Sequence, residues 1–165
     1  MNYHNITTDD MLNGSGLRTV LWVSGCDHHC KNCQNPQTWD KNSGIHFGED
    51  EWKELLRDLE KPYISGITFS GGDPLFPENR ETIRDMAKAI RQLYPTKTQW
   101  LYTGYNFEEV KDLEIMKYLD VVVDGEYIDA QRDVALPWRG STNQRVIDVQ
   151  KSLSEKCVKL YCDLL

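Results

Sequence analysis

The sequence predicts an α/β fold, an incomplete and open βα barrel of about four to five parallel strands with helical crossovers. Three observations carry this expectation. Short β-branched and aromatic runs alternate with amphipathic helical stretches, the pattern of parallel strands linked by helices. Glycines and polar residues recur just after those runs, at the edge where parallel sheets bind ligands. The chain has 165 residues. That suffices for one domain with its own core, but a complete eightfold barrel takes about 250.

The elements follow in order. LRTVLWV at Leu17–Val23 is the first strand, behind the glycine pair Gly14 and Gly16. A cysteine-bearing loop comes next. A helix is expected over 49–60, because Trp52, Leu55, Leu56 and Leu59 share one face and Pro62 lies beyond its end. GITFS over 66–70 is a short buried strand running into Gly71 and Gly72. A second helix is expected over 78–94, buried through Ile83, Met86, Ala87, Ile90, Leu93 and Tyr94 and closed by Pro95. A third strand falls at Thr98–Tyr102, a third helix over 106–119 and a fourth strand over 121–123. A polar loop then runs to about residue 143, and residues 145–149 suggest a fifth strand. One domain spans 1–165, with its core over about 14–149 and a C-terminal tail over 150–165.

Composition narrows the function classes. The net charge is −7 with no cluster of Lys and Arg, which argues against a nucleic-acid partner. No apolar run is long enough to span a membrane. Residues 1–10 are polar and carry no secretory signal, so a cytoplasmic location is expected. No Ser–His arrangement or carboxylate pair suggests acid–base or nucleophilic catalysis.

The cysteines carry the chemistry. Cys26, Cys30 and Cys33 are spaced CxxxCxxC, while Cys157 and Cys162 lie far downstream. An odd number of cysteines, three of them crowded together, reads as a metal or cluster site in a reducing compartment. Three local thiolates can hold three corners of a cubane iron–sulfur cluster, leaving one iron open to a ligand. Structural zinc is the alternative, with His28, His29, Cys157 or Cys162 as fourth ligand, although zinc sites usually show paired CxxC knuckles. Such a site would make the protein a non-enzymatic iron–sulfur or zinc binding module. His28 and His29 otherwise read as surface-loop residues, and Cys157 and Cys162 as core residues first, with a redox pair or a regulatory site as the alternatives. At the later strand ends, the glycines of Ser70, Gly71, Gly72, Asp73 and Pro74 allow close backbone approach to a ligand or form an ordinary strand-to-helix turn. Thr103 suits either a hydrogen bond to a bound ligand or a solvated turn, and Asp124 and Glu126 suit solvated strand-end positions.

The stretch over 14–36, GSGLRTVLWVSGCDHHCKNCQNP, resembles the signature of radical S-adenosylmethionine activating enzymes for glycyl-radical proteins. Gly16, Arg18, Gly25, the three cysteines, Asn35 and Pro36 carry the resemblance. It implies a [4Fe-4S] cluster on Cys26, Cys30 and Cys33, with S-adenosyl-L-methionine chelating the fourth iron. It places the methionyl amino group at the SGGD segment, Ser70 to Asp73. Many members carry an aromatic residue before the third cysteine; Asn32 stands there, leaving a backbone contact to the adenine. WRGSTNQRVID over 138–148 resembles the branch that activates anaerobic ribonucleoside-triphosphate reductase. The implied partners are that reductase, as protein substrate, and an electron donor such as flavodoxin or ferredoxin. The implied reaction is reductive cleavage of S-adenosylmethionine to a 5′-deoxyadenosyl radical, which generates a glycyl radical on the reductase. Alternatives within radical chemistry are an activase of the pyruvate formate-lyase type and a small-molecule enzyme.

Overall fold

The computed structural model describes residues 1–162, so the last three residues of the expected tail lie outside the described residues. In chain order the elements are β1 (Asn2–Asp10), β2 (Leu17–Val23), β3 (Ile45–His46), α1 (Glu49–Leu59), β4 (Ile64–Gly71), α2 (Arg80–Leu93), β5 (Thr98–Tyr102), α3 (Phe107–Val110), β6 (Val121–Asp124), β7 (Arg145–Asp148) and α4 (Val149–Glu155). Among the described residues, the strands form one seven-stranded sheet in the order β3-β1-β2-β4-β5-β6-β7. The central strands β2, β4, β5 and β6 are parallel, as the strand–helix alternation predicts. The sheet is not closed; β3 and β7 are its edges. No helix among the described residues is long and apolar enough to cross a membrane.

Three expectations are corrected. The polar N-terminus is a strand, β1, paired antiparallel with β2. Its sequence NYHNITTDD hides this, because only Tyr3 is fully buried and the rest faces solvent or is half-covered. The expected fifth parallel strand, β7, runs antiparallel to β6. The segment between them holds only a 3-10 turn at Asp129–Gln131. Without a crossover helix the chain does not return to the far edge, so it re-enters the sheet from the end it left. The expected third helix is broken into the single turn α3 and a 3-10 turn at Glu114–Tyr118.

Period-two alternation gives the sheet two different faces. On one face Leu21, Phe69, Leu101 and Val122 pack under the helices. Leu55 and Leu59 of α1 and Ile83, Ala87 and Ile90 of α2 are fully buried there. Leu93 is an exception to the expected α2 face, at 56% exposure in the helix's last turn. Each fully buried aliphatic side chain contributes about 1.5–3 kcal/mol, so this face supplies most of the apolar stabilisation. The opposite face carries a smaller cluster of Trp100, Val121 and Val123, joined by Trp138 and Tyr161.

Arg18 lies on this second face and is fully buried. Nε donates to Thr68 Oγ1 (2.8 Å), Nη1 to Ser15 O (3.0 Å) and Thr98 Oγ1 (2.8 Å), and Nη2 to Ile67 O (2.7 Å) and Thr98 O (2.9 Å). These acceptors match the guanidinium's five N–H groups. Its charge lies 5.4 Å over the Trp100 ring. Burial still pulls its pKa down to about 10. Arg18 thus ties β2 to β4 and β5 near the ends opposite the cysteine loop, leaving the carboxyl ends to hold the site.

Candidate cluster and cofactor cleft

At the carboxyl ends of the parallel strands lies a cavity of about 530 Å³, within the range of small-molecule sites. Cys26, Cys30 and Cys33 line it from the loop after β2, and Ser70, Gly71, Gly72 and Asp73 line it from the end of β4. Thr103 and Gly104 contribute from the end of β5, and Gly125 from the end of β6. The tertiary structure therefore gathers the expected site residues around one space, with Asn32 as the exception. Asn32 is exposed, takes φ 56°, and donates from Nδ2 to Asp129 Oδ2 at 2.8 Å.

Backbone bonds sew the cysteine loop to β4. Gly72 N–H donates to Val23 O (2.8 Å) and Asp73 N–H to Gly25 O (2.7 Å). Gly25 N–H donates to Thr38 O (2.7 Å) and Cys26 N–H to Trp39 O (3.0 Å). The two strand-end glycines serve this seam. A Cβ at Gly71 (φ +107°) would lie 2.4 Å from Val23 N, and one at Gly72 would lie 2.5 Å from Gly25 O. Chain-to-chain approach alone thus requires glycine at both positions.

Asp73 is the bracket of the site. Its carboxylate is 1% exposed and accepts from His28 Nε2 (2.8 Å), Thr103 Oγ1 (3.0 Å), Gly104 N–H (2.9 Å) and Leu75 N–H (2.8 Å). Thr103 Oγ1 also accepts Tyr105 N–H at 3.2 Å. Asp73 and Thr103 therefore shape the wall with side chains already engaged by the protein. Ser70, 8% exposed, lines the cavity beside them.

His28 is not a solvated loop residue. Its side chain is 10% exposed, and Nδ1 meets Glu126 Oε1 at 2.9 Å while Nε2 meets Asp73. The hydrogen bond to Asp73 chiefly, helped by Glu126 and opposed by burial, pushes its pKa up to about 9. Both ring nitrogens are therefore engaged as donors. His29 stacks on Trp39, with centroids 4.5 Å apart. Asp124 is also not solvated: it is 1% exposed, caps Phe107 N–H (2.7 Å) and pairs with Arg145. Cys157 and Cys162 are exposed rather than in the core.

The thiols suit a cluster better than a single ion. Among the described residues, no three His, Cys, Asp or Glu side chains group as one metal ion requires. Neither Cys157 nor Cys162 lines the cavity, and both His28 nitrogens are taken. Backbone amides favour thiolate sulfur at each position. Burial pushes the Cys26 thiol up to about 11, against the amides of His28 and His29. Burial raises Cys30 against the Tyr127 amide, and Asn35 N–H donates to Cys33 Sγ at 3.3 Å. A bound metal outweighs such burial and holds the sulfurs as thiolates. Three thiols on one cavity wall, each facing amide donors, with Cys157 and Cys162 outside the cavity and His28 already engaged, fit a cluster with one open iron.

Several lining residues escape sequence reasoning. Trp39, Tyr127 and Arg139 all border the cavity. Arg139 donates to Gln144 O at 2.5 Å and is the sole Lys or Arg among the lining residues. Its loop is self-braced: Gln144 Oε1 accepts Gly140 N–H (2.9 Å), and Gln144 Nε2 and Asn143 Nδ2 donate to Gly125 O (3.0 Å) and Glu126 O (2.7 Å) at the end of β6. The WRGSTNQR stretch held a signal for this, but without the fold nothing places Arg139 at the cavity.

Comparison with known proteins agrees with this geometry. A family model described as a 4Fe-4S single cluster domain matches residues 12–147. The anaerobic ribonucleoside-triphosphate reductase-activating protein of Enterobacteria phage T4 is 46% identical, over 88% of this chain and 93% of its own length. The proteins of the same name from Vibrio cholerae and Escherichia coli K12 are each 40% identical, over 87% and 88% of this chain and 96% and 97% of theirs. With a cysteine-lined cleft at the open edge of a parallel sheet and this identity over nearly its whole length, the chain belongs to the family of anaerobic ribonucleoside-triphosphate reductase-activating proteins and carries a 4Fe-4S single cluster domain.

Proposed function

We propose that this protein is a radical S-adenosylmethionine enzyme that installs a glycyl radical on an anaerobic ribonucleoside-triphosphate reductase, drawing its electron from a donor of the flavodoxin or ferredoxin type. The observation that carries the reading is the convergence of Cys26, Cys30 and Cys33 with the strand-end segment Ser70 to Asp73 on one cavity. Bound there, a [4Fe-4S] cluster and S-adenosylmethionine supply reductive cleavage of the sulfonium to methionine and a 5′-deoxyadenosyl radical, the species that takes a hydrogen atom from a glycine.

In this reading the chain positions and shields. Cys26, Cys30 and Cys33 hold three irons. The backbone of Ser70, Gly71 and Gly72 receives the methionyl ammonium group. Asp73 acts through Thr103, Gly104 and His28, whose bonds to it keep three loops in register. Arg139, which lines the cavity, would pair with the methionyl carboxylate. Asn32 meets the adenine through its backbone, since its side chain is engaged by Asp129. We read the open sheet as the incomplete barrel expected from chain length, with its open side admitting the reductase's glycine segment.

The test is anaerobic. The protein is reconstituted with iron and sulfide, given a strong reductant and S-adenosylmethionine, and assayed for methionine and 5′-deoxyadenosine. Equal formation of both products, abolished in Cys26→Ala, is the expected result. A loaded cluster that neither cleaves nor spectroscopically responds to S-adenosylmethionine would overturn the reading.

A further inference from the structure

The cavity is longer than its cysteine end. Asp10, which pairs with Arg18 at the start of β2, lines it together with Leu12 and Asn13 from the turn between β1 and β2. From Arg18 to Val23 the strand covers about 17 Å at about 3.3 Å per residue. The cysteines and the Ser70 to Asp73 segment take only the carboxyl end of that length. Apolar groups line the inner part, chiefly Leu12, Leu136 and Trp138. Trp138 rests on Trp100 (ring centroids 5.1 Å apart), and Trp100 in turn covers Arg18, so this wall also reaches back toward the start of β2.

Two short turns flank this inner part from opposite sides of the sheet. Residues 10–13 join β1 to β2, and residues 133–136 lie between β6 and β7. An aspartate stiffens each one. Asp10 Oδ1 accepts Leu12 N–H (2.9 Å) and Asn13 N–H (2.8 Å), and Asn13 O accepts Thr68 Oγ1 (2.7 Å) from β4. Asp133 Oδ1 accepts Ala135 N–H (2.9 Å), and Asp133 N–H donates to Gly140 O (3.2 Å). Each turn gives one leucine to the cavity lining, Leu12 and Leu136, and holds aliphatic side chains in solvent. Met11 is 72% exposed, Leu12 80% and Val134 85%. These groups contribute no burial to the free chain. Preordered apolar side chains beside an open cleft suit contact with another protein, because little ordering remains to be done on binding.

We infer that these two turns are the lips through which the reductase's glycine-bearing segment enters, with Met11, Leu12 and Val134 against apolar side chains of the reductase and the glycine at the cysteine end. This rests on the radical reaction proposed above, which needs a backbone carbon of another protein at the cofactor. A segment of about five extended residues spans the trough along β2. A small substrate would fit within the walls and leave Met11 and Val134 in water, whereas a protein segment entering between the turns covers them.

The experiment uses the whole chain, reconstituted anaerobically, and the anaerobic ribonucleoside-triphosphate reductase of the same organism. Met11→Ser combined with Val134→Ser removes two exposed tips that lie outside the cavity lining. The double variant should melt like the wild type and cleave S-adenosylmethionine with a chemical reductant at the wild-type rate. Its affinity for the reductase should fall about tenfold or more. The glycyl radical read by EPR at limiting activating protein should fall with it and recover at high reductase concentration. A photo-crosslinking side chain placed at Leu12 should mark the glycine-bearing segment. Unchanged reductase affinity in the double variant overturns the inference and leaves the radical reaction standing, as do cross-links confined to a second copy of this chain or to a reductase surface remote from the glycine. A wild type that loads its cluster yet neither cleaves S-adenosylmethionine nor binds the reductase would overturn the proposed reaction itself, and the inference with it.

Discussion

His28 Nε2 lies 2.8 Å from Asp73 Oδ2, so a residue inside the cysteine spacing is anchored to the end of the neighbouring parallel strand. Through Nδ1 the same ring reaches Glu126 beyond β6. Tyr127 and Asp129 engage the same loop at Cys30 and Asn32. The cysteine loop is thereby clasped at alternate residues by the segment after β6.

His28→Leu should loosen that clasp. It removes the charged donor from Asp73 and leaves a buried carboxylate short of one partner, a loss of about 1–3 kcal/mol. We expect a lower melting temperature for the metal-free protein and less iron retained per chain after desalting. Wild-type iron retention in this variant would show that the clasp does not position the thiols.

Arg139→Gln should weaken cofactor binding through the carboxylate alone. One charge-assisted contact is worth about 1.5–3 kcal/mol, so S-adenosylhomocysteine should bind about tenfold or more weakly. Methylthioadenosine lacks the carboxylate and should bind as it does to the wild type. Calorimetry with both ligands checks this; equal losses for the two would point to a collapsed loop instead.

Arg18→Met should destabilise the fold by at least about 3 kcal/mol, since it strands several buried acceptors at once. Denaturant unfolding measures it. Arg18→Lys should recover only part of the loss, because an ammonium group cannot match the fork of acceptors across β4 and β5.

The Arg145 hydrogen bond holds the Glu108 carboxyl below its usual range. A depressed folded pKa stabilises the protein above the unfolded value, and that contribution fades as pH falls through the folded one. Glu108 is half-exposed, so the effect should stay below about 1 kcal/mol. Melting temperatures on descending through the acidic range should converge for wild type and Glu108→Gln, the variant being the less stable near neutrality.

Much of this arrangement was legible in the sequence because its signals are local. CxxxCxxC needs only eight consecutive residues to declare a soft-metal site. The strands at Leu17–Val23 and Thr98–Tyr102 and the α1 face appear through short-range periodicity. β1 was illegible because a half-exposed strand rich in Asn, Thr and Asp has little apolar alternation to reveal it. The direction of β7 depended on what the preceding loop did in space, which propensity does not encode.

By itself the sequence determined the spacing of the three clustered thiols, the parallel α/β core and the glycines at the end of β4, since spacing and backbone freedom belong to the chain. Only the tertiary structure decided what each polar side chain does there. His28 was bound inward to Asp73, Asp124 was buried beneath Arg145, and Arg139 and Trp39 were brought to the cavity. Hydrogen bonds and burial join residues tens of positions apart, and their partners exist only once the strands have aligned.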